Sequence, residues 1–496
     1  MMEQDTIVAI STPVGRGGIG VVRLSGPRAR DVVAPLLRLR HPLAAGRARF
    51  GQVLDLSDTT PGPSANTLDL GPRTSDPPPV LDECVVTYFA APHSYTGEDV
   101  VEIAMHGSPV LLDYVLRHCC MAGARLADPG EFTQRAFLAG RIDLTQAEAV
   151  ADLIGSSTLE QARVAARQLG GALAKLLAPI KEDLVALIAA MEAGIDFAED
   201  DIDVLPAHRI AERIAAVRAP LQALEHSFAY GRVVRDGFKL AIVGRPNAGK
   251  SSLFNRLVQR ERAIVTATPG TTRDLVTERV AIDGIPVELI DTAGLRESVD
   301  EAERMGIAKS HQAMVDADVV LLVLDAPAIA AAGAVPAQDA AILAGHTPGA
   351  LLLASNKTDL LPNRLHKVAL LTNLQSQSRR GDANLQPATC NLQLIETSAL
   401  TGEGIAELRA AIVSAIAGPD GGLREAGMLT NLRQHQAVEQ ALRRLDAATA
   451  AIVQTIPHEM VLLDLYEALR RLDALTGATT TEDVLRLIFS TFCIGK

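Results

Sequence analysis

Gly244-Arg-Pro-Asn-Ala-Gly-Lys-Ser251 is the stretch of sequence that decides the fold. It fits the phosphate-binding pattern GxxxxGK[ST]; the apolar run Leu240–Val243 precedes it, and a helix-like run, 252–258, follows it. Glycines let backbone N–H groups turn towards a phosphate, and the start of a helix adds positive potential. Lys250 would reach the β- and γ-phosphates, and Ser251 would offer its hydroxyl to Mg²⁺. The stretch therefore predicts a strand, a phosphate loop and a helix.

Three shorter motifs follow in the chain, each directly after a β-like run: Asp291-Thr-Ala-Gly294, Asn356-Lys-Thr-Asp359 and Ser398-Ala-Leu400. Asp291 could hold Mg²⁺ through water, and the Gly294 amide could sense a γ-phosphate. The Asp359 carboxylate could accept two N–H bonds from guanine, which adenine cannot supply. The third motif could complete the base pocket. Four motifs in this order, each at a strand end, predict a guanine-nucleotide-binding domain.

A threonine-rich segment, Thr266-Ala-Thr-Pro-Gly-Thr-Thr272, lies between the first two motifs, and Thr272 is the natural switch threonine. Leu295 stands where signalling GTPases carry a water-orienting Gln. Because Leu cannot polarise water, catalysis must come from another side chain, an ion or a partner. The charged candidates that follow at once are Arg296, Glu297, Asp300, Glu301, Glu303 and Arg304.

The order of strand-like and helix-like runs predicts the domain organisation. Residues 238–415 alternate between the two, which is typical of a parallel sheet. Leucines and isoleucines recur at helical spacing over 173–191, and the helical period returns after about Gly422. We predict an α/β plus α fold, in which a P-loop GTPase domain (236–421) is inserted into a helical domain (141–235 and 422–496). An α+β domain (1–140) precedes both.

Specific runs carry these predictions. The predicted strands are Thr6–Ile10, Val21–Leu24, Cys84–Phe89, Val100–Met105, Phe238–Val243, Val287–Ile290, Val319–Leu324 and Ala350–Ser355. The predicted helices, besides 173–191, are Val110–Met121, Pro129–Leu138, Ala437–Val453, His458–Leu475 and Thr481–Phe492.

Composition excludes several classes of protein. The chain has 496 residues with a net charge of −12, which gives it no general attraction for polyanions. Its five cysteines have no CxxC spacing and indicate neither a disulfide framework nor a zinc site. It has no apolar run of about 18 residues and no signal-peptide pattern, so we expect a cytoplasmic protein without a membrane span. Pro61–Val80 is predicted to be a loop.

Two other patterns are open to a false interpretation, and a third leaves two alternatives. Gly15-Arg-Gly-Gly-Ile-Gly20 matches GxGxxG, but the β-like run 21–25 follows it, so we predict a turn between strands and no dinucleotide site. The acidic run 199–203 is interpreted as a solvated turn and not as a metal site. Phe489–Lys496 is too apolar for a frayed terminus and is predicted to dock, either as a simple anchor or to deliver the Cys493 thiol to a site.

Segments along the whole chain resemble the MnmE (TrmE) family of tRNA uridine-modifying GTPases. The resemblance is carried by TIVAISTPVGRGGIGVVRLSG (6–26), SYTGEDVVEIAMHG (94–107), PGEFTQRAFLAGRIDLTQAEAVADLI (129–154), GRPNAGKSSL (244–253), TPGTTRD (268–274), DTAGLRE (291–297) and FCIGK (492–496). The first, third and last of these are not features of GTPases in general. Residues 61–80 and 372–390 look like insertions relative to the family.

This resemblance implies a function and a set of partners. The family adds an aminomethyl or carboxymethylaminomethyl group to carbon 5 of the wobble uridine of certain tRNAs. The carbon comes from a 5,10-methylene- or 5-formyl-type tetrahydrofolate in the N-terminal domain. A flavoprotein, MnmG (GidA), is the partner in a heterotetramer or larger complex, and FAD enters only through it. Family members form homodimers through the N-terminal domain, and their GTPase domains meet when GTP and K⁺ are bound.

The resemblance also implies roles for particular residues. Glu303 would orient the water and Cys493 would be essential to the modification. K⁺ would be held by Asn247, Thr266, Thr268 and Thr271, and Mg²⁺ by Ser251 and Thr272. Folate would be contacted by Arg23, Glu102, Lys496 and Arg141, the last standing where the family usually has Lys. The implied GTP-binding set is Asn247, Ala248, Gly249, Lys250, Ser251, Ser252, Thr266, Ala267, Thr268, Pro269, Gly270, Thr271, Thr272, Asp291, Thr292, Ala293, Gly294, Asn356, Lys357, Thr358, Asp359, Ser398, Ala399 and Leu400.

Two alternative functions share the nucleotide motifs. A switch-type GTPase in ribosome assembly would use every one of them, but it would leave the N-terminal domain and Cys493 without a purpose. A folate-dependent one-carbon enzyme could use the GTPase domain for regulation only. Intact wobble modification in the tRNA of a deletion strain would favour the first alternative over a tRNA-modifying enzyme. Retained modification without GTP hydrolysis in a Lys250→Ala variant would favour the second.

Overall fold

The computed structural model describes most of the chain, and its contacts divide the chain into two compact units. The first unit is 1–151 with 476–496, and the second is 152–475. The described residues are 5–57, 77–196, 206–258, 277–291, 314–332, 334–336, 339–340, 350–361, 393–417, 428–478, 485, 488–490 and 492–495. The acidic run 199–203, the second insertion and nearly all of the first lie outside them.

The first unit is built on a seven-stranded sheet in the order β3-β4-β5-β6-β2-β1-β7. All neighbours are antiparallel except β1 and β7. Its strands are β1 (Ile7–Ile10), β2 (Gly17–Ser25), β3 (Leu37–Leu39), β4 (Arg47–Leu54), β5 (Val80–Phe89), β6 (Val100–Gly107) and β7 (Arg125–Leu126). The Gly-rich segment 15–20 connects β1 to β2 and runs into β2, so the predicted turn between strands is confirmed.

Two helices of the first unit, 29–33 and 109–121, cover one face of this sheet. Leu112 and Val115 pack with Leu24 and Ile103 in one core, and all four side chains are buried. The helices are α1 (Ala29–Val33), α2 (Pro109–Met121), α3 (Glu131–Leu138) and α4 (Leu144–Gly155). The four predicted strands and two predicted helices of this region are confirmed, with ends that move by up to four residues.

The second unit contains a six-stranded sheet in the order β13-β12-β11-β8-β10-β9, which is parallel except for β9. Its strands are β8 (Phe238–Val243), β9 (Thr277–Ile282), β10 (Ile285–Asp291), β11 (Val319–Asp325), β12 (Ala350–Asn356) and β13 (Gln393–Glu396). Leu240 and Ile242 face one core and Ala241 and Val243 the other, so both faces of the sheet are covered. The predicted parallel sheet is confirmed.

Helices precede, interrupt and follow this sheet. Four long helices share one core, in which Leu187, Leu221, Leu445 and Leu465, one from each helix, are fully buried. The helices of the second unit are α5 (Leu159–Leu169), α6 (Ala172–Asp196), α7 (Ala207–His226), α8 (Phe228–Asp236), α9 (Lys250–Val258), α10 (Ala326–Ala332), α11 (Ile405–Ala417), α12 (Leu432–Val453) and α13 (His458–Thr476). Across the described residues, no helix combines the length and apolar character needed to cross a membrane.

Residues 428–429, which follow the sheet in sequence, contact helices that precede it. The Gln168 side chain donates to the Met428 carbonyl over 2.8 Å, and the Leu429 N–H donates to the Ser227 hydroxyl over 3.2 Å. A Cβ on Gly231 would lie 2.0 Å from the Leu429 carbonyl oxygen, so only glycine permits this approach. The helices on both sides of the sheet are therefore joined by buried polar contacts as well as by a core.

Candidate functional site

The phosphate loop joins β8 to α9, as predicted. Gly244 has φ 142°, and a Cβ there would lie 2.4 Å from the Val323 carbonyl oxygen. Asn247 and Gly249 also have positive φ, at 66° and 91°. Turns of the backbone at such residues can direct N–H groups inward, which is the geometry that holds an anion. The sequence folds this way because glycine stands at the two places where a side chain would collide.

Lys250 begins α9 and points back into the loop. Its ammonium donates to the carbonyl oxygens of Gly244 (2.8 Å) and Arg245 (2.9 Å). A phosphate at the start of the helix would compete for the same three N–H groups. Ser251 and Ser252 are exposed in the first turn of α9, so their hydroxyls are open to a ligand. These positions fit the predicted roles of Lys250 and Ser251.

Asn356 connects the phosphate loop with the guanine motifs. Its side-chain amide donates to the Ala248 carbonyl over 3.0 Å, and its amide oxygen accepts from the Ala399 N–H over 3.1 Å. The residue is 1% exposed. A buried amide that uses both ends holds two loops in register, because losing it would leave both loops with unpaired backbone groups.

The Asp359 carboxylate, which is predicted to bind guanine, is bonded on one side and exposed on the other. The Ser398 hydroxyl donates to Oδ1 of Asp359 over 2.6 Å, and Asp359 is itself exposed. Lys357 adopts φ 66° and its ammonium bonds Oδ2 of Asp325 over 2.7 Å. Burial works to raise the pKa of Asp325, but the bonds from Lys357 and from the Ala328 N–H outweigh it and lower that pKa. Asp325 thus stays ionised beneath Lys357.

A buried ion pair supports the second residue of the phosphate loop. Nε of Arg245 lies 3.0 Å from Oδ2 of Asp339, whose side chain is 1% exposed. Burial raises the pKa of Asp339, although the charges of Arg245 and Lys250 oppose that shift. Sequence reasoning missed this pair because neither residue belongs to a motif that implies it.

Part of the predicted nucleotide site lies outside the described residues. For Asp291 only the backbone, at the end of β10, is described. Among the predicted K⁺ and Mg²⁺ ligands, Asn247 and Ser251 are described. The predicted site residues outside the description are Thr266, Ala267, Thr268, Pro269, Gly270, Thr271, Thr272, Thr292, Ala293, Gly294, Glu303 and Lys496.

The first unit brings two of the predicted folate residues together. Arg23 of β2 and Glu102 of β6 are cross-strand partners, and their Nη2 and Oε1 atoms lie 2.7 Å apart. Nη1 of Arg23 also donates to the Gly495 carbonyl over 3.4 Å. Arg141 is exposed beside Gly97, and none of the contacts described joins it to that pair. The C-terminal segment therefore reaches the Arg23–Glu102 pair.

The segment around Cys493 is docked, as predicted. Phe489 and Phe492 are buried with ring centroids 5.3 Å apart, and the Gly130 N–H donates to the Cys493 carbonyl over 3.4 Å. The Ser11 hydroxyl donates to the Gly495 carbonyl over 3.2 Å. The side chain of Cys493 is exposed. Docking thus fixes the backbone of this segment while leaving the thiol open, which fits the delivery of a thiol.

Two other thiols of the first unit are chemically different from Cys493. Burial raises the pKa of Cys84 and of Cys119 to about 12. They remain protonated and inaccessible at neutral pH, so a thiol reagent reaches the exposed Cys493 in preference to them.

An ionic network that sequence reasoning missed lies beneath Gly130. Oε1 of Glu131 is 2.7 Å from Arg125 and 2.8 Å from Arg135, and Arg135 also pairs with Asp5 over 2.6 Å. Burial works to raise the pKa of Glu131 and of Asp5, but the arginines outweigh it and lower both. The one sequence signal was the i, i+4 pair Glu131 and Arg135 within PGEFTQRAF.

The second unit thus has a sheet with one antiparallel edge strand, a phosphate loop after β8 and an Asn-Lys-x-Asp motif after β12. Together these define a P-loop protein that binds guanine nucleotides.

Comparison with known proteins identifies the family. The family model for the GTP-binding protein TrmE N-terminus matches residues 6–141, and that for the MnmE helical domain matches residues 144–493. The tRNA modification GTPase MnmE of Koribacter versatilis is 54% identical over 495 residues, 99% of each chain. That of Aquifex aeolicus is 39% identical over 99% of this chain and 100% of its own. The chain belongs to the MnmE family.

Among solved structures, an Era variant of Aquifex aeolicus bound to GDP and AlF4⁻ is 23% identical, with a TM-score of 0.28. The match covers 42% of this chain and 66% of the Era chain. The family assignment therefore rests on the sequence matches.

Proposed function

We propose that this chain hydrolyses GTP and takes part in the modification of tRNA. The observation that carries the proposal is the match over 99% of the chain to a tRNA modification GTPase at 54% identity. The contacts of Lys250, Asn356 and Asp359 support it, because they link the phosphate loop to the two guanine motifs. Purified protein should hydrolyse GTP, and a Lys250→Ala variant should not.

We further propose that the modified position is carbon 5 of the wobble uridine, and that an aminomethyl or carboxymethylaminomethyl group is added. Analysis of the nucleosides in tRNA from a deletion strain tests this. Loss of the modified nucleoside is the expected result. Intact modification would instead favour a switch-type GTPase in ribosome assembly. If Lys250→Ala restores modification in that strain, the GTPase domain is regulatory and the chain is a folate-dependent one-carbon enzyme.

A tetrahydrofolate of the 5,10-methylene or 5-formyl type is the proposed one-carbon source. The Arg23–Glu102 pair offers a cation and a carboxylate at one place, beside the docked segment that carries Cys493. Such a pair suits a ligand that has both an anionic tail and N–H donors. Direct titration of 5-formyltetrahydrofolate into the wild type and into Arg23→Met tests the assignment, and weaker binding by the variant is expected.

K⁺ and Mg²⁺ are the proposed ions of the nucleotide site. Ser251 has an exposed hydroxyl at the start of α9, which fits an Mg²⁺ ligand, and Asn247 stands in the loop with its backbone already turned by a positive φ. Bound K⁺ would supply positive charge to the phosphates, and Glu303 would orient water in place of Gln. GTP hydrolysis should be much faster in K⁺ than in Na⁺ and should fall in Glu303→Ala. Equal rates in the two salts would contradict the ion's role.

The proposed partners are a second copy of this chain, tRNA and the flavoprotein MnmG (GidA), through which FAD would enter. The proposed organisation is a GTPase domain inserted into a helical domain. A folate-binding domain precedes both in sequence. The core shared by α6, α7, α12 and α13 supports the insertion, because the sheet lies between the two helix pairs in sequence. Sedimentation of the protein with and without MnmG tests the assembly.

A further inference from the structure

We propose that Arg256 is a positioning residue for base selection, because it holds the guanine loop, Ser398–Gly404, in register with the phosphate loop. The inference rests on the proposed function, since it assigns a determinant of the same nucleotide site. None of the motifs contains Arg256, which lies in the second turn of α9.

Arg256 bonds two successive carbonyl groups of the guanine loop. Its Nε donates to the Ala399 carbonyl over 2.8 Å and its Nη2 donates to the Leu400 carbonyl over 2.6 Å. The planar guanidinium can satisfy two neighbouring acceptors at once, whereas an ammonium is a single point of charge. Bonds from an ionised donor are also the shorter and stronger kind. This contact is therefore specific for arginine.

The same helix carries the contact to the phosphates. Lys250 is its first residue, and Arg256 follows six positions later, about 9 Å further along the axis. A rigid helix thus joins the ammonium of the phosphate loop to the guanidinium that holds the guanine loop. The spacing between the two ends of a bound nucleotide is set in part by this helix.

Both backbone polar groups of Ala399 are hydrogen-bonded to residues outside the guanine loop. Asn356 accepts its N–H, and Arg256 donates to its carbonyl. Two further bonds are internal to the loop: the Ser398 N–H donates to the Glu403 carbonyl, and the Gly402 N–H donates to the Ser398 carbonyl. Leu400 is 78% exposed, so its side chain does not anchor the loop by burial. Polar contacts therefore fix the position of the loop together with the packing of Ala399 against the core of the second unit.

A displaced guanine loop would disturb base reading before phosphate binding. The Ser398 hydroxyl bonds Oδ1 of Asp359, the carboxylate expected to accept two N–H groups of guanine. If Arg256 releases the loop, Ser398 moves and Asp359 loses its orientation. The contacts of Lys250 lie at the other end of α9 and remain. The expected signature is therefore a loss of discrimination between bases and not only weaker binding.

The test compares GDP with IDP, which lacks the exocyclic amine and so offers Asp359 one N–H fewer. Affinities of both nucleotides are measured by calorimetry for the full-length wild type, Arg256→Met and Arg256→Lys. We expect about a tenfold loss of GDP affinity in Arg256→Met, a smaller loss for IDP, and hence a lower GDP-to-IDP ratio. Arg256→Lys should lie between the wild type and Arg256→Met.

Arg409→Met is the matched control. Arg409 donates from α11 to the Leu257 carbonyl over 2.8 Å, so it also anchors α9 but through a residue outside the guanine loop. The ratio of GDP affinity to IDP affinity in Arg409→Met should equal that of the wild type. An unchanged ratio in Arg256→Met, whatever its stability, would overturn the inference. Wild-type protein that binds no GDP would overturn the proposed function itself.

Discussion

The side-chain amide of Asn356 donates to the carbonyl oxygen of Ala248 over 3.0 Å, so the guanine motif is bonded directly to the phosphate loop. The other end of the same amide accepts the N–H of Ala399. The predicted base-binding and phosphate-binding loops are therefore parts of one polar network. A change at Asn356 should be felt at both ends of a bound nucleotide.

Asn356→Ala should weaken GDP binding by about 10- to 100-fold, because it leaves two backbone groups unpaired in a buried place. Fluorescence titration with a labelled GDP measures the effect. Asn431→Ala is the control: Asn431 caps α12 by accepting the Arg433 N–H over 2.9 Å. That variant should lose about 1 kcal/mol of stability and keep its GDP affinity. Equal GDP affinity in Asn356→Ala and wild type would argue against the network.

Gly130→Ala should release the segment that carries Cys493. The new Cβ would lie 2.8 Å from the Phe489 carbonyl oxygen and 2.9 Å from Phe492 Cβ, at a φ of 68°. Carboxypeptidase should then trim the segment faster, as followed by mass spectrometry, and tRNA modification should fall while GTP hydrolysis remains.

Gly140→Ala is matched to Gly130→Ala, because Gly140 has φ 67° and a Cβ there would meet nothing within 4 Å. It carries the same backbone strain without the collision. If both variants are trimmed equally fast, strain and not the contact with the segment is responsible.

Glu131→Gln should destabilise the first unit by about 3 kcal/mol at pH 7, because Arg125 and Arg135 lose the carboxylate that lies between them and keep only their outer partners, such as Asp5. The pKa of Glu131 in the folded protein lies below its ordinary value of 4.5. Its stabilising effect is therefore complete above about pH 4.5 and is lost as the pH falls through the lowered pKa. The gap in melting temperature between wild type and Glu131→Gln should narrow below pH 4.5.

A control for the buried network is the exposed pair of Glu160 and Arg163, whose atoms are 3.4 Å apart. Glu160→Gln should change stability by less than about 1 kcal/mol at pH 7. A gap for Glu131→Gln that stays constant down to pH 3.5 would show that ionisation of Glu131 does not stabilise the fold.

Arg245→Met should cost about 3 kcal/mol, because it leaves the buried Asp339 carboxylate without its cation. Adding Asp339→Asn should recover much of that loss, since a neutral amide needs no counter-charge. Calorimetric unfolding of the two single variants and the double variant gives the coupling. Additive losses would mean that the two side chains act independently.

Much of the fold follows from local pattern. The apolar run before Gly244 predicts β8, and the helical spacing over 173–191 predicts α6, because both elements bury their own apolar residues. β4 was missed because the alternation of polar and apolar residues in Arg47-Ala-Arg-Phe covers only four residues before Gly51 interrupts it. β9 was missed too, although the Asp283-Gly284 turn, with φ 51° and 81°, is a hairpin signal.

The site was less fully predictable, for a different reason. Sequence motifs identify Lys250, Asn356 and Asp359, because their predicted chemistry requires fixed neighbours in sequence. Arg256 and Glu131 act through partners 143 and six residues away, and Arg256 bonds backbone carbonyls, which every residue has. No pattern of residue types records such a contact. It becomes visible only when the chain is folded.

The docking of the segment around Cys493 also has a consequence for biosynthesis, because the first unit cannot be completed until the end of the chain has been synthesised. Gly130, Ser11 and Arg23, which receive it, leave the ribosome long before residues 489–495 do. At typical rates of elongation, about 20 to 70 seconds of synthesis separate the end of the first stretch of this unit from the arrival of that segment. During this interval the residues that will contact Phe489 and Phe492, among them Gly130, lack that apolar cover.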